Sequence, residues 1–239
     1  MNFVFDIDGT LCFDGRTIHD DILAEIDGLL AVGHDVIFAS ARPIRDLLPV
    51  LPKRYHELKL VGGNGAFVSR NGQIDSVSFD EQTKSLLLQF IAENECTYLA
   101  DCNWNYSYTG DLAHPIYNNL NKIDAKNVAL HELETMCKLI LFNVEDCKHE
   151  QLAQLPVAIT KYKSEDIFDI SPLDVNKVRG LQRLNVERFI AFGNDMNDKC
   201  MFDHANYSVC VGEQDVKQFA SEVILKEQVA AMIRKLGKR

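Results

Sequence analysis

Two aspartates one residue apart close the first apolar run of the chain, Phe3-Val4-Phe5-Asp6-Ile7-Asp8-Gly9-Thr10. A short apolar run ended by glycine reads as a buried strand. Side chains two apart in a strand point the same way, so Asp6 and Asp8 project together at its end. Two carboxylates on one small turn repel each other and attract a divalent cation. Further along stand Ser40, Lys177 and an acidic loop, Gly193-Asn194-Asp195-Met196-Asn197-Asp198. Together these groups fit phosphoryl transfer to a carboxylate. One aspartate can attack phosphorus and split the reaction into two steps. A carboxylate two residues on can protonate the leaving oxygen and then activate water. A serine hydroxyl with neighbouring backbone amides, and a lysine ammonium, can hold the remaining phosphoryl oxygens. Mg2+ suits such a site, because two anions must approach each other and the ion takes oxygen ligands.

The elements that must position these residues follow from periodicity. Ile18, Ile22, Ile26, Leu29 and Leu30 recur at helical spacing with Gly33 as a stop, and a second apolar strand runs from His34 to Ala39. Pro43 suits the first turn of a helix from Ile44 to Leu51, and Leu58 to Val61 is a third strand closed by Gly62-Gly63-Asn64-Gly65. Strands alternating with helices over short connections make a parallel sheet, whose ligands gather at the carboxyl ends of its strands. The Asp6/Asp8 turn and Ser40 both fall at such ends. Asn71-Gly72 then marks a tight hairpin. A helix from Asp80 to Asn94 follows, with short strands at Thr97–Ala100, Trp104–Thr109, Lys138–Asn143, Val157–Tyr162 and Ile167–Ile170 and helices near Leu112–Asn121 and Asp146–Leu155. The parallel-sheet pattern resumes with a helix from Val175 to Leu184, a strand from Arg188 to Phe192, a helix from Lys199 to His204 and a strand from Tyr207 to Val211. Helices from Asp215 to Ser221 and from Lys226 to Leu236 close the chain. The expectation is an α/β protein: a Rossmann-like parallel-sheet core formed by residues 1–79 and 173–239, interrupted by an inserted α+β cap at 80–172.

The 239 residues, 46% hydrophobic and 25% charged, are ample for one large domain or two small ones. A formal net charge of -10 argues against a nucleic-acid groove or an anionic membrane surface as the main partner. Seven cysteines without a C-x-x-C pair argue against disulfides and a zinc cluster. No apolar stretch approaches the roughly 20 residues of a spanning helix, and no basic, apolar leader precedes the first strand. A cytoplasmic protein is the expectation. Oligomeric state is not written in the sequence.

Asp6-Ile7-Asp8-Gly9-Thr10-Leu11, Ser40-Ala41-Arg42-Pro43, a lysine after the insert and Gly193-Asn194-Asp195-Met196-Asn197-Asp198 stand in the order of the haloacid dehalogenase superfamily. With Asn64-Gly65-Ala66 and an α+β insert between the second and third motifs, the chain resembles the Cof-type sugar-phosphatase branch. The resemblance implies a Mg2+-dependent phosphatase that hydrolyses a small phosphorylated metabolite through an aspartyl-phosphate. It makes Asp6 the nucleophile and metal ligand. Asp8 becomes the general acid/base, with its backbone carbonyl on the metal. Ser40, Ala41, Arg42 and Asn64 would surround the phosphate or substrate, Lys177 would neutralise the phosphoryl group, and the loop of Asn194, Asp195 and Asp198 would complete the metal site.

Two positions depart from the family's pattern. Asn194 stands where the first aspartate of the last motif is expected, and Val178 follows Lys177 where glycine is usual, with Gly180 next but one. Aligned without gaps the metal ligand is the amide oxygen of Asn194; a small loop shift offers Asp195 instead, and we favour Asp195 because a carboxylate neutralises Mg2+ better. Asp198 has a second reading, as an anchor of Lys177. Ser40 could instead cap the helix beginning at Pro43, and Asn64 could be a turn former only. The aromatic segment around Trp104, Tyr106 and Tyr108 reads as packing for the insert's own core. Two other functions compete. A phosphomutase would hold a second phosphate with arginine forks in its cap, but no arginine occurs between Asn71 and Val178. A phospho-accepting signalling domain would lack the large insert.

Overall fold

The computed structural model describes residues 1–162 and 167–238. The first apolar run forms β1 (Asn2–Phe5), in which Phe3, Val4 and Phe5 are fully buried. A strand buried on both faces must lie inside a sheet covered by helices. After β1 come α1 (Asp20–Ala31), β2 (Asp35–Ala39), the single-turn α2 (Ile44–Leu47) and β3 (Lys59–Gly62). The hairpin β4 (Phe67–Arg70) and β5 (Gln73–Ser76) turns at Asn71 and Gly72, whose φ values of 52° and 74° are those a tight I′ turn requires.

The next elements are α3 (Glu81–Glu93), β6 (Thr97–Asp101), β7 (Tyr106–Tyr108), α4 (Pro115–Asn119), β8 (Lys138–Phe142), α5 (Asp146–Leu152), β9 (Val157–Tyr162) and β10 (Ile167–Pro172). The chain closes with α6 (Lys177–Arg183), β11 (Phe189–Gly193), α7 (Lys199–His204), β12 (Tyr207–Val211), β13 (Glu222–Ile224) and α8 (Val229–Leu236).

Two compact units result: Met1–Ile74 with Asn176–Arg239, and Asp75–Val175. The first is built on an eight-stranded sheet in the order β13-β12-β11-β1-β2-β3-β4-β5. Strands β13 to β3 run parallel, and β4 returns antiparallel to β3. Phe5 of the central strand packs its ring on Phe192 and Phe38 of the two neighbouring strands, at centroid separations of 4.9 and 6.4 Å. The second unit holds a five-stranded sheet, β7-β6-β8-β10-β9, whose pairings are antiparallel. Leu87, Phe90 and Ile91 of α3 pack on one face with Leu139, Leu141 and Phe168. On the other face, Tyr106 and Tyr108 are buried with Ile140 and Phe142, and Trp104 packs against them. A buried ion pair, Lys138 Nζ to Asp169 Oδ2 at 2.5 Å, crosses this sheet from β8 to β10.

The α/β class with a parallel core sheet and a separate antiparallel insert is as expected from the sequence. Three local expectations are corrected. The helix from Ile44 ends at Leu47, so the segment to Leu51 is turn. Asp215 to Phe219 is a 3-10 turn, not an α-helix, and Glu222–Ile224 after it is an edge strand that periodicity missed. The last α-helix begins at Val229, after a 3-10 turn at Lys226–Gln228. Among the described residues, six cysteines are free thiols and no helix is long and apolar enough to cross a membrane.

The glycine displaced from the lysine motif has a packing role. A Cβ on Gly180 would meet Val61 of β3 and the Cα of Gly65, so this position lets α6 approach β3 and the turn after it. Gly65, at φ +106°, faces the main chain of Asn176 at the start of the same helix, where a Cβ would collide with the Asn176 carbonyl. Gly65→Ala is therefore expected to lower the unfolding free energy by more than about 1 kcal/mol, measured by chemical denaturation, because it adds a left-handed conformation and a backbone clash together.

Candidate active site

The carboxyl ends of four adjacent parallel strands, β11, β1, β2 and β3, carry the loops that hold the sequence-derived candidates. At the end of β1 the Asp6 amide donates to the Phe192 carbonyl at 2.9 Å, which tucks the Asp6 side chain inward. Asp6 Oδ1 accepts from Lys177 Nζ at 2.6 Å, and Asp6 Oδ2 from the Thr10 hydroxyl at 3.0 Å. Lys177 is the first residue of α6; the Asn176 side chain caps that helix by accepting from the Arg179 amide at 3.0 Å. The same Lys177 ammonium donates to Asp198 Oδ1 at 2.5 Å. The other Asp198 oxygen accepts from the backbone amides of Asn194 and Asp195, at 2.8 and 3.1 Å. Gly193 makes this fold-back possible, since a Cβ there would lie 2.6 Å from the Asp198 carboxyl.

Asp6, Lys177 and Asp198 are buried, so two carboxylates share one ammonium out of water. Burial, and then the charge of Asp198, push the Asp6 carboxyl up to about 7 against the pull of Lys177. Burial opposes the Lys177 ammonium, but Asp198 and Asp6 outweigh it and hold its pKa above the ordinary lysine range. With all three charged, the cluster carries one net negative charge and favours a further cation.

Asp8 projects outward beside this cluster. Arg42 holds it with a two-pronged fork, Nε to Oδ2 at 2.8 Å and Nη2 to Oδ1 at 2.6 Å, and Nη2 also donates to the Gly15 carbonyl at 2.9 Å. This geometry fixes a planar carboxylate in orientation as well as charge. Ser40, buried at the end of β2, accepts from the Arg42 amide at 3.0 Å through its hydroxyl. It is not the cap of α2, whose N-cap residue is Pro43. Ala41 lies between Ser40 and Arg42 in this turn. The turn after β3 is pinned to it: Gly63 N donates to Arg42 O at 2.7 Å and Asn64 N to Ser40 O at 3.1 Å. Asn64 adopts φ 55°, as a turn former does, and its Oδ1 accepts from Asn197 of the acidic loop at 3.4 Å.

At the acidic loop the structure departs from our preference. Asn194, not Asp195, faces Asp6 and Asp8. With its oxygen inward, Oδ1 lies 3.1 Å from Thr10 Oγ1 and competes with Asp6 Oδ2 for the one hydroxyl proton. With the amide turned over, Nδ2 in that place donates to Thr10 Oγ1, Asp6 Oδ2 and the Asp8 carbonyl at 3.1, 3.2 and 2.9 Å. Gly9, at φ +80°, leaves room for this amide, which any Cβ there would strike. Asp195 instead caps its own 3-10 turn, accepting from the Met196 amide at 2.7 Å. Asp198, expected among the metal residues, spends both oxygens on Lys177 and the two loop amides, as the anchor reading has it.

The oxygens converging at Asp6 thus come from one carboxylate, one main-chain carbonyl, one side-chain amide and one hydroxyl. That hard-oxygen set suits Mg2+ rather than zinc. Among the described residues no group of three or more His, Cys, Asp or Glu is placed to hold a metal. Sequence reasoning missed Thr10 as a bridge between Asp6 and Asn194. Its signal was its place in the Asp6–Thr10 motif.

A phosphoryl-transfer class of hydrolase is what this fold and cluster define. The chain matches the family model described as haloacid dehalogenase-like hydrolase over residues 3–235, and it belongs to that family. It is an enzyme of the phosphatase kind, and the Cof-type resemblance of its motifs holds. It is similar to 5-amino-6-(5-phospho-D-ribitylamino)uracil phosphatase YitU of Bacillus subtilis, at 28% identity over 90% of this chain and 88% of that protein. A phosphoglycolate phosphatase of Methanosarcina mazei is 24% identical over 92% of this chain and 88% of its own. Among solved structures, a haloacid dehalogenase-like hydrolase from B. subtilis superposes with a TM-score of 0.81 at 17% identity, covering 98% of this chain and 99% of that one. The subclass IIB sugar phosphatase BT4131 gives 0.78 at 19% identity, covering 99% and 98%.

Removing one partner of a buried ion cluster strands the others. Asp198→Ala leaves Lys177 with one carboxylate and two loop amides without an acceptor, and is expected to lower stability by about 3–5 kcal/mol in denaturant titrations.

Proposed function

We propose that the chain hydrolyses the phosphoric ester of a small phosphorylated metabolite, of the sugar-phosphate kind, through an aspartyl-phosphate on Asp6. The observation that carries this reading is the Asp6 carboxylate held at the end of the central strand by Lys177 at 2.6 Å, with Asp8 two residues on. In the first step an Asp6 oxygen forms a bond to phosphorus and the bond from phosphorus to the ester oxygen breaks. Asp8, which enters this step protonated and so released from the two-pronged Arg42 contact, gives its proton to the departing oxygen. In the second step Asp8 takes a proton from water, the water oxygen bonds to phosphorus, and the acyl-phosphate bond breaks to return the Asp6 carboxylate and inorganic phosphate. The Arg42 fork stabilises the carboxylate form of Asp8, which the first transfer leaves and the second consumes, and Arg42 in turn is set by the Gly15 carbonyl and the Ser40 turn. Lys177 offsets the charge of the phosphoryl oxygens, and the Ser40 hydroxyl with the Ala41 and Arg42 backbone cradles them.

Asp6, the Asp8 carbonyl and the Asn194 amide oxygen are the proposed Mg2+ ligands. The ion would supply charge neutralisation between the two approaching anions. The relatives support a small phosphorylated substrate: the B. subtilis protein's name specifies a phosphoribitylamino-uracil and the M. mazei protein's a phosphoglycolate. Substrate choice is assigned to the inserted α+β cap, residues 80–172, and the protein is placed in the cytoplasm. A mutase finds no support, because the insert has no arginine for a second phosphate.

With Mg2+ present, the purified protein is expected to release inorganic phosphate from members of a metabolite-phosphate panel and from an activated aryl phosphate; silence across both would sink the reading. Asp6→Asn is expected to cut kcat at least about a thousandfold while the unfolding transition stays cooperative. Substantial residual turnover would remove Asp6 as the nucleophile.

A further inference from the structure

With its nitrogen inward, the amide of Asn194 lies within hydrogen-bond distance of three oxygens that share its two N–H bonds: Asp6 Oδ2 at 3.2 Å, the Asp8 carbonyl at 2.9 Å and Thr10 Oγ1 at 3.1 Å. In the other orientation its own oxygen takes that place, 3.1 Å from Thr10 Oγ1, whose single proton it contests with Asp6 Oδ2. An oxygen there lies against a carboxylate oxygen and a carbonyl oxygen, an arrangement that repels unless a cation lies among them. A carboxylate at this position would have no such choice, because both its ends are acceptors.

We propose that Asn194 makes the cation site a two-position device. With nitrogen inward, the amide stands in for the cation by hydrogen-bonding the oxygens that the ion would bind. With oxygen inward, it is a neutral ligand. Resting on the reading that Asp6 and the Asp8 carbonyl hold Mg2+, the consequence is a weak, readily emptied site. The ion must displace the amide's hydrogen bonds and gains no charge from the new ligand. The protein without metal, in return, keeps its buried oxygens satisfied. Occupancy then follows the free Mg2+ concentration instead of being permanent.

The charge count agrees. Asp6 and Asp198 face Lys177, Asp8 is neutralised by Arg42, and Asp195 is turned into its own cap, so the cluster has a net charge of only about -1. A fourth carboxylate would raise both the attraction for Mg2+ and the repulsion without it. Cation affinity in oxygen-ligand sites follows the number of charged ligands.

The test uses the 239-residue chain without any phosphorylated ligand. Calorimetric titration with Mg2+ is compared for the wild type, Asn194→Asp and Asn194→Ala, alongside thermal unfolding in chelator. Asn194→Asp is expected to bind Mg2+ at least about tenfold more tightly and Asn194→Ala more weakly. In chelator, Asn194→Asp is expected to unfold at a lower temperature than wild type and to recover on adding Mg2+. Equal Mg2+ affinity of the wild type and Asn194→Asp overturns the inference while leaving the phosphatase reading intact. Tighter binding without loss of metal-free stability overturns the two-position mechanism. If Asn194→Asp cannot be obtained folded, Asn194→Ala decides: unchanged affinity overturns the proposal. Failure of all three proteins to bind Mg2+ overturns the metal assignment itself, and this inference with it.

Discussion

A single buried ammonium shared by two carboxylates is the interaction on which the rest of the site depends. Lys177 bridges Asp6 and Asp198, groups separated by most of the chain, and so ties the end of β1 to the loop after β11 and to the start of α6. Burying any one of these charges alone would cost several kcal/mol. Their mutual pairing, the two loop amides on Asp198 and the Thr10 hydroxyl on Asp6 offset that cost. The remaining net negative charge faces outward, where the Asp8 turn and Asn194 stand. The arrangement that makes Asp6 burial tolerable also leaves its carboxylate beside the Asp8 carbonyl and the Asn194 amide.

The sheet explains why the cluster can be so exact in position. Central strands that present Phe3, Phe5, Phe38 and Phe192 to one face and Val4, Ile37, Ala39 and Ala191 to the other resist sliding, because a one-residue slip would exchange the bulky and the small layers. The loops at their carboxyl ends are short and pinned to one another by backbone bonds, Gly63 to Arg42 and Asn64 to Ser40. Glycine is needed at few places here. Gly9 admits the Asn194 amide, Gly193 admits the Asp198 carboxyl, and Gly65 and Gly180 let α6 bring Lys177 inward.

Much of this was legible in the sequence, because continuous apolar runs, helical spacing, Asn71-Gly72 and the order of the acidic and basic motifs are local signals. Sheet-end placement then followed from the alternation of strands and helices. What was not legible depended on tertiary packing. The α2 segment carries apolar residues past Leu47, yet the chain turns there. The Asp215–Phe219 segment reads as amphipathic, but a 3-10 turn leads instead into the edge strand β13, which pairs with β12 alone. The choice between Asn194 and Asp195 turned on charge in the sequence reading. In the fold, backbone direction brings Asn194, directly after Gly193, to Asp6 and Thr10, while Asp195 begins a turn. The partnership of Arg42 with Asp8 joins residues on different strand ends and has no local signature.

The central claim is that Asp6 becomes phosphorylated during turnover. Rapid acid quenching during turnover with an activated aryl phosphate, followed by borohydride reduction and peptide mass mapping, reads this directly. The account predicts reduction of the acyl-phosphate at Asp6, converting that residue to homoserine, and no such product at Asp8. Homoserine at another carboxylate, or none while phosphate release proceeds and a known acyl-phosphate control is trapped, would contradict it.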